Sequence, residues 1–483
     1  MPTTSREALL LTARLHRLPT TRHTCLFVLL LAGALVIEAL DIGSLSIILP
    51  ILKSLMSLSP FEVGMLAASS AIGVTIGVIP AGLLADRFGR KRVLIAGILW
   101  FAGLTLLSSL APDYRILLVL RGLSGLGMAP AFIMPYALVS ELVSARTRTM
   151  FAGLMESALG IGYISAPLLG LVVVPQFAPD VAWRIFLVIA GLPIVYVWVL
   201  WRFLPESPRW LSRAGRHEEA DRIVAALEAR VERLIGRALP APVVTAEMEE
   251  ALGRARPQIG LRTVLEVWRG PYLVRTLAMI SGTFGTFALF YVAVNYIPSL
   301  FEAKSIGLAN AFILSLVVTS SQIPGKILNG VLSDFLGRKL IYALFTLVAL
   351  VGACAFGQSS DPIVMMIWAS VFLFASSGSA PSLKMWYAEQ YPTPIRAVGQ
   401  STVEGLGGRL LGGVVWTALF PVLVEAFGIG HTMIVITVIG LATLLVVLVF
   451  APETAGRSVE QLETDAQWPA TAALAEQAAL RAR

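Results

Sequence analysis

Apolar residues run along this chain in long stretches broken by short polar or charged ones. The first stretch, Cys25 to Leu49, covers about 25 residues. A helix needs about 20 apolar residues to cross the hydrocarbon of a bilayer. Twelve such helices are predicted, at roughly 25–49, 61–85, 92–111, 115–140, 149–173, 184–203, 274–299, 308–332, 340–359, 363–388, 397–423 and 430–451. The first reads as an uncleaved helix, because a signal peptide has a shorter apolar core and a small-residue cleavage site. An even number of spans puts both termini on one side.

The charges choose that side. Cytoplasmic loops of membrane proteins carry an excess of Lys and Arg. With the N-terminus inside, 29 of the 37 Lys and Arg residues fall in cytoplasmic segments. Four fall outside: Lys53, Arg115, Arg184 and Lys304. Four lie within helices: Arg121, Lys326, Lys384 and Arg409. The expected layout is a cytoplasmic N-terminal segment (1–24), a first six-helix half (25–203), a cytoplasmic loop (204–273), a second half (274–451) and a cytoplasmic tail (452–483). RHEEADRIVAALEARVERL within the loop has the spacing of an amphipathic helix. The tail beyond Arg457 is expected to be partly helical.

Composition agrees. The chain is 57% hydrophobic and 14% charged, against about 25% charged in soluble domains. The net charge of +7 is explained by topology rather than by nucleic-acid binding. Cys25 and Cys354 both lie in apolar runs, so no disulfide framework or CxxC motif is implied.

Repeats decide the architecture. GLLADRFGRK from Gly82 recurs as GVLSDFLGRK from Gly330, 248 residues later. Asp86, Arg90 and Lys91 pair with Asp334, Arg338 and Lys339. Glu141 and Arg148 in SELVSARTR match Glu389 and Arg396 in AEQYPTPIR at the same offset. PESP from Pro205 recurs as PETA from Pro452. The prediction is an all-α membrane protein of two parallel six-helix bundles.

These motifs resemble those of the major facilitator superfamily over essentially the whole chain. PESPRWL and PETAGRSVE are similar to its sugar-porter-like branch. EALDIGSLSIILP in the first helix resembles the paired-acid segment of aromatic acid:proton symporters, with Glu38 for the first acid and Ala39 for a glycine. YPTPIRAVGQ followed by GLGGRLLGG resembles the same group, including its helix 11 arginine, here Arg409. Sugar porters resemble one another in glutamines of helices 5 and 7. Here Glu156 stands in helix 5, and helix 7, SGTFGTFALFYVAVNYIPSLF, has none.

There is no Walker P-loop and no HExxH, and His16, His23, His217 and His431 are scattered. No ATP-driven, metal or nucleophilic chemistry is expected, no cofactor, and no enzyme activity. Ionisable groups inside membrane helices are costly and mark function by default. Glu38 and Asp41, three apart, share a helix face. Two close carboxylates disfavour double ionisation, which suits them to holding one proton. The resemblance implies an ion pair between Asp41 and Arg121 that protonation breaks; the alternative is a static buried salt bridge.

Arg409 offers a bidentate fork for a carboxylate, or else pairs with Glu404 or with an acid on another helix. Its spacing from Glu404, five residues, is poor for contact in an α-helix. Glu156 and Glu404 line the inner half of the site or pair with Lys326 and Lys384. Tyr291, Asn295 and Tyr296 precede Pro298, which can break helix 7 into a gate; they form an aromatic wall or interfacial anchors. Asp86, Arg90, Lys91, Glu141 and Arg148, with Asp334, Arg338, Lys339, Glu389 and Arg396, read as latches of the inward gate. The gates are duplicated, whereas the charges inside the helices read as unduplicated.

The expected function is proton symport of a small organic anion, an aromatic or other carboxylate, by alternating access in the inner or plasma membrane. The expected partners are that substrate, protons and lipid, with no nucleic acid, and the chain is expected to be a monomer. The alternatives are a proton-coupled exporter of drugs or organic cations, a sugar porter, and a non-transporting receptor.

Overall fold

Long apolar runs leave the backbone no hydrogen-bonding partner in lipid but itself, so they coil. In the computed structural model, which describes residues 3–143, 148–244, 261–304, 306–391 and 395–454, every regular element is helical. Two compact units result: Met1–Ser59 with Met65–Ala255, and Pro60–Gly64 with Arg256–Arg483.

The first unit holds α1 (Thr3–His16), α2 (Arg22–Leu55), α3 (Pro60–Phe88) from Met65 onward, α4 (Arg90–Ser108), α5 (Tyr114–Leu142), α6 (Arg148–Val173), α7 (Pro179–Gly191), α8 (Tyr196–Phe203), α9 (Pro208–Arg213) and α10 (His217–Ile235). The second holds α11 (Leu261–Glu266), α12 (Gly270–Ala303), α13 (Leu308–Ser320), α14 (Gln322–Leu336), α15 (Arg338–Gln358), α16 (Pro362–Glu389), α17 (Arg396–Val403), a π-helical segment (Glu404–Trp416) and α18 (Thr417–Phe450).

Eleven helices among the described residues are long and apolar enough to cross a membrane. The last runs from Val398 to Phe450, 53 residues, or about 80 Å at helical rise. That is more than twice the hydrocarbon thickness of about 30 Å. It breaks at Gly428, whose φ of 75° and ψ of 164° are not helical. Its length therefore fits two crossings, which makes twelve spans among the described residues.

Helix starts follow local chemistry. Thr21 and Thr24 form a reciprocal cap on α2, and the Asp113 carboxylate accepts from the Ile116 amide at 3.0 Å to open α5. At the α3–α4 turn Gly89 takes φ 103°, and its repeat partner Gly337 takes φ 93°, a region that side chains disfavour.

Apolar surface gives helices no reason to associate in lipid, so small residues bring backbones close instead. A Cβ on Gly162 of α6 would lie 2.3 Å from the Val36 carbonyl of α2. A Cβ on Gly125 of α5 would lie 2.2 Å from the Ser70 carbonyl of α3. In the second unit a Cβ on Gly407 would lie 2.5 Å from the Ile280 carbonyl of α12. Large side chains such as Ile79, Leu83, Trp198 and Val449 remain exposed, as lipid-facing positions should.

Two features differ from the sequence reading. Residues 3–16, given no element there, form α1. Pro298 sits inside the uninterrupted helix α12, so it does not break helix 7; the ring removes a single backbone donor, and neighbouring helices can compensate. The tail after Thr454 and the segment 245–260 lie outside the described residues.

Candidate functional site

The close approach of α3 and α5 at Ser70 and Gly125 delivers Arg121 into the middle of the first unit. Its Nη1 donates to Asp41 Oδ1 at 2.9 Å and its Nη2 to Oδ2 at 2.8 Å. Both side chains are fully buried. The Thr105 hydroxyl of α4 donates to Asp41 Oδ1 at 2.9 Å, and Ser70 Oγ accepts from Arg121 Nη2 at 3.1 Å. Four helices, α2 to α5, thus converge on one ion pair, α3 through Arg121 rather than the carboxylate. Sequence reasoning proposed the pair and missed Ser70 and Thr105, whose hydroxyls look like ordinary small helix residues. Glu38 is also buried on α2, one turn before Asp41.

Glu156 on α6 accepts a hydrogen bond from Tyr136 of α5 at 2.7 Å. Glu404, opening the π segment, accepts one from Tyr387 of α16 at 2.8 Å. These glutamates are 248 residues apart, the offset of the repeated charged motifs. One intramembrane charge is therefore duplicated, contrary to the sequence reading. The tyrosines are not equivalent: Tyr387 corresponds to Val139, one turn from Tyr136.

The π segment carries Arg409, which is buried. π-helical turns are uncommon and concentrate at functional sites. The segment packs along α12, where a Cβ on Gly412 would lie 2.8 Å from the Phe287 side chain and one on Gly413 3.0 Å from the Tyr291 ring. An aromatic cluster follows. Phe287 and Tyr291 have ring centroids 6.0 Å apart, and Phe284 meets Trp416 edge-on at 6.0 Å. Phe284, Phe287 and Trp416 were missed; their spacing along the helices was the available signal. Asn295 is buried. The Tyr296 hydroxyl donates to the Thr417 carbonyl at 2.7 Å and so ties α12 to α18.

The repeated motifs form two similar clusters. In the first unit Arg90 Nη2 meets Asp86 at 2.9 Å and Arg90 Nε meets Glu141 at 3.5 Å. Asp86 is largely exposed, so that pair alone contributes little. The Lys91 amide donates to Glu206 at 3.0 Å. In the second unit Arg338 Nη2 meets Glu389 at 3.6 Å, and the Lys339 amide donates to Glu453 at 2.9 Å. Arg396 Nε donates to the Tyr391 carbonyl at 3.2 Å. Glu206 and Glu453 each place a carboxylate at a helix N-terminus, where the macrodipole favours it. Sequence reasoning recognised PESP and PETA as motifs without assigning their glutamates. The side chains of Arg148 and Asp334 lie outside the described residues.

Helix α1 is anchored at the same end of the first unit. Arg14 Nη2 and Arg17 Nη2 each reach Glu228 of α10 at 2.7 Å, and Arg14 Nη1 reaches Asp221 at 2.7 Å. Burial pushes the Glu228 carboxyl up, but hydrogen bonds from Arg14 and Arg17 outweigh it and hold the group below its usual value. The bond to Glu228 raises Arg14 in turn.

Two six-helix bundles with matched charge clusters at corresponding helix ends are the architecture of a major facilitator transporter. Residues 42–466 match the family described as "Sugar (and other) transporter". The chain belongs to that family, whose members are multi-pass membrane transporters of small molecules and not enzymes. It is 30% identical to the niacin transporter NiaP of Acinetobacter baylyi, over 94% of this chain and 99% of that one. It is 28% identical to the 4-hydroxybenzoate transporter PcaK of Pseudomonas putida, over 82% of this chain and 86% of the relative. It is 26% identical to the arabinose-proton symporter of Bacillus subtilis, over 92% and 96%. The inward-open structure of the xylose transporter XylE from E. coli matches its fold with a TM-score of 0.70 at 18% identity, covering 90% of this chain and 99% of XylE.

Proposed function

We propose that this transporter couples the entry of protons to the uptake of a small aromatic carboxylate across the plasma membrane, with both termini cytoplasmic. The observation that carries the coupling is the buried Asp41–Arg121 pair, gripped through two hydrogen bonds. A proton on Asp41 removes the charge that holds Arg121 and leaves hydrogen bonds of lesser strength. The two states of that carboxylate then differ in how firmly α2 and α5 are tied, which is what alternating access requires of a coupling site.

Arg409 supplies a cation for the substrate carboxylate, and the rings of Phe287, Tyr291 and Trp416 supply apolar area suited to an aromatic ring. Glu38 shares the protonation role. Glu156, Asn295 and Tyr296 belong to the candidate site of their respective halves. The Arg90 and Arg338 clusters act as latches that hold the cytoplasmic ends of the helices in one state, with Glu141, Glu389, Arg148, Arg396 and Asp334 as their acids and bases. The names of two relatives, transporters of niacin and of 4-hydroxybenzoate, support an aromatic acid. The arabinose-proton symporter supports proton coupling and a sugar instead.

Uptake by purified protein in liposomes decides between them. With an acid-outside gradient, nicotinate or 4-hydroxybenzoate accumulates, a protonophore abolishes accumulation, and arabinose is excluded. Accumulation of arabinose alone, or aromatic uptake indifferent to the gradient, overturns the reading.

A further inference from the structure

In an α-helix, residues five apart lie about 140° apart around the axis, so Glu404 and Arg409 would face different ways. A π-helix closes its hydrogen bonds from i to i+5, which stacks residues five apart on one face. Since Glu404–Trp416 is π-helical throughout, the winding turns Glu404 and Arg409 toward the same face, closer along the axis than the roughly 7.5 Å that five residues span in an α-helix. The first half offers a control within the same chain. There the equivalent helix, Arg148–Val173, is an ordinary α-helix. It has Glu156 but Ile161 where Arg409 stands in the second half. The π winding and the arginine occur together in one half and are both missing from the other. Tyr387 fixes the acid end through its hydrogen bond to Glu404 Oε2.

We propose that this face is a two-point recognition site which selects aromatic acids carrying a hydrogen-bond donor across the ring from the carboxylate. Arg409 takes the carboxylate, Glu404 accepts from the ring hydroxyl or amino group, and Tyr387 is a positioning residue that orients Glu404. The separation of one π turn suits a single aromatic ring with substituents at opposite ends. The neighbouring face of α12 supplies Phe287 and Tyr291 beside it. The inference rests on the aromatic-acid reading above and adds the specificity determinant.

The test compares uptake of 4-hydroxybenzoate and benzoate, which differ by that donor, in proteoliposomes of the wild type and of the Glu404→Gln, Tyr387→Phe and Arg409→Lys variants. A hydrogen bond to a charged acceptor corresponds to a factor of about ten or more in affinity. The ratio of kcat/KM for the two acids is expected to fall about tenfold in Tyr387→Phe and Glu404→Gln. Arg409→Lys is expected to weaken both acids while keeping the ratio, because the shared carboxylate loses its bidentate partner. A merely structural role for Tyr387 would depress both substrates alike, and that outcome overturns the proposal. An unmoved ratio in both variants, with wild-type uptake intact, overturns it alone. Wild-type protein that transports neither acid overturns the transport reading and this inference with it.

Discussion

Arg121 meets Asp41 through two parallel hydrogen bonds inside a site that excludes solvent from both side chains. Removing one partner strands the other charge, whereas removing both does not. We therefore expect Arg121→Met to destabilise the protein by about 3–5 kcal/mol, and Asp41→Asn/Arg121→Met to recover much of the loss. Thermal unfolding in detergent measures the cycle. Equal losses in the single and double variants would remove the pair from the stability argument. In flux, Asp41→Asn is expected to abolish gradient-driven accumulation while substrate exchange continues.

The approach of α3 to α5 depends on Gly125. A Cβ there meets the Ser70 carbonyl at 2.2 Å, a contact with backbone that cannot swing away. Gly125→Val is expected to cost about 1–3 kcal/mol through overpacking and to separate Ser70 from Arg121. A melting temperature unchanged from wild type would show that the helices part without cost.

Glu206 and Glu453 each cap a helix that begins in a repeated motif. Charge at a helix N-terminus contributes about 0.3–1 kcal/mol, so Glu206→Gln or Glu453→Gln shifts a two-state gate by up to about fivefold. Labelling of a cysteine placed beside the Arg90 or Arg338 cluster reads the shift. Both variants should move it in the same direction, because the clusters are repeats. Opposite or absent effects would separate these residues from gating.

Glu228 predicts a pH response. Its folded pKa lies below the ordinary value. The anchoring of α1 is therefore fully present above the unfolded value, about 4.3, and is lost as pH falls through the lower folded value. Amide exchange in residues 3–16, taken relative to the intrinsic rate at each pH, should stay slow from pH 8 to about pH 5 and quicken below. Glu228→Gln should quicken it at neutral pH. Exchange that is equally fast at every pH in the wild type would mean that Arg14 and Arg17 do not hold the helix.

Much of this molecule was legible in advance because its signals are local or periodic. Twelve apolar runs become twelve spans since lipid leaves the backbone only helix. The duplicated charged motifs were legible because repetition leaves matched sequence at one offset. Asp41 and Arg121 stood out because charge in an apolar helix is expensive. Ser70, Thr105, Tyr136 and Tyr387 were not legible: each is an unremarkable helix residue until a neighbouring helix brings a charged group within 3.1 Å or less.

The sequence by itself determined the helices, their number and the duplication of the charged motifs, because hydrophobic length and repetition are properties of the chain alone. Only the tertiary structure decided which face each charge occupies. Glu404 and Arg409, five apart, are mismatched in an α-helix and aligned in the π winding that this segment adopts against α12. Gly407 and Gly408 between them lie where a Cβ would meet Ile280 and Phe287 of α12, and such an approach between distant segments is not written in any one stretch of sequence.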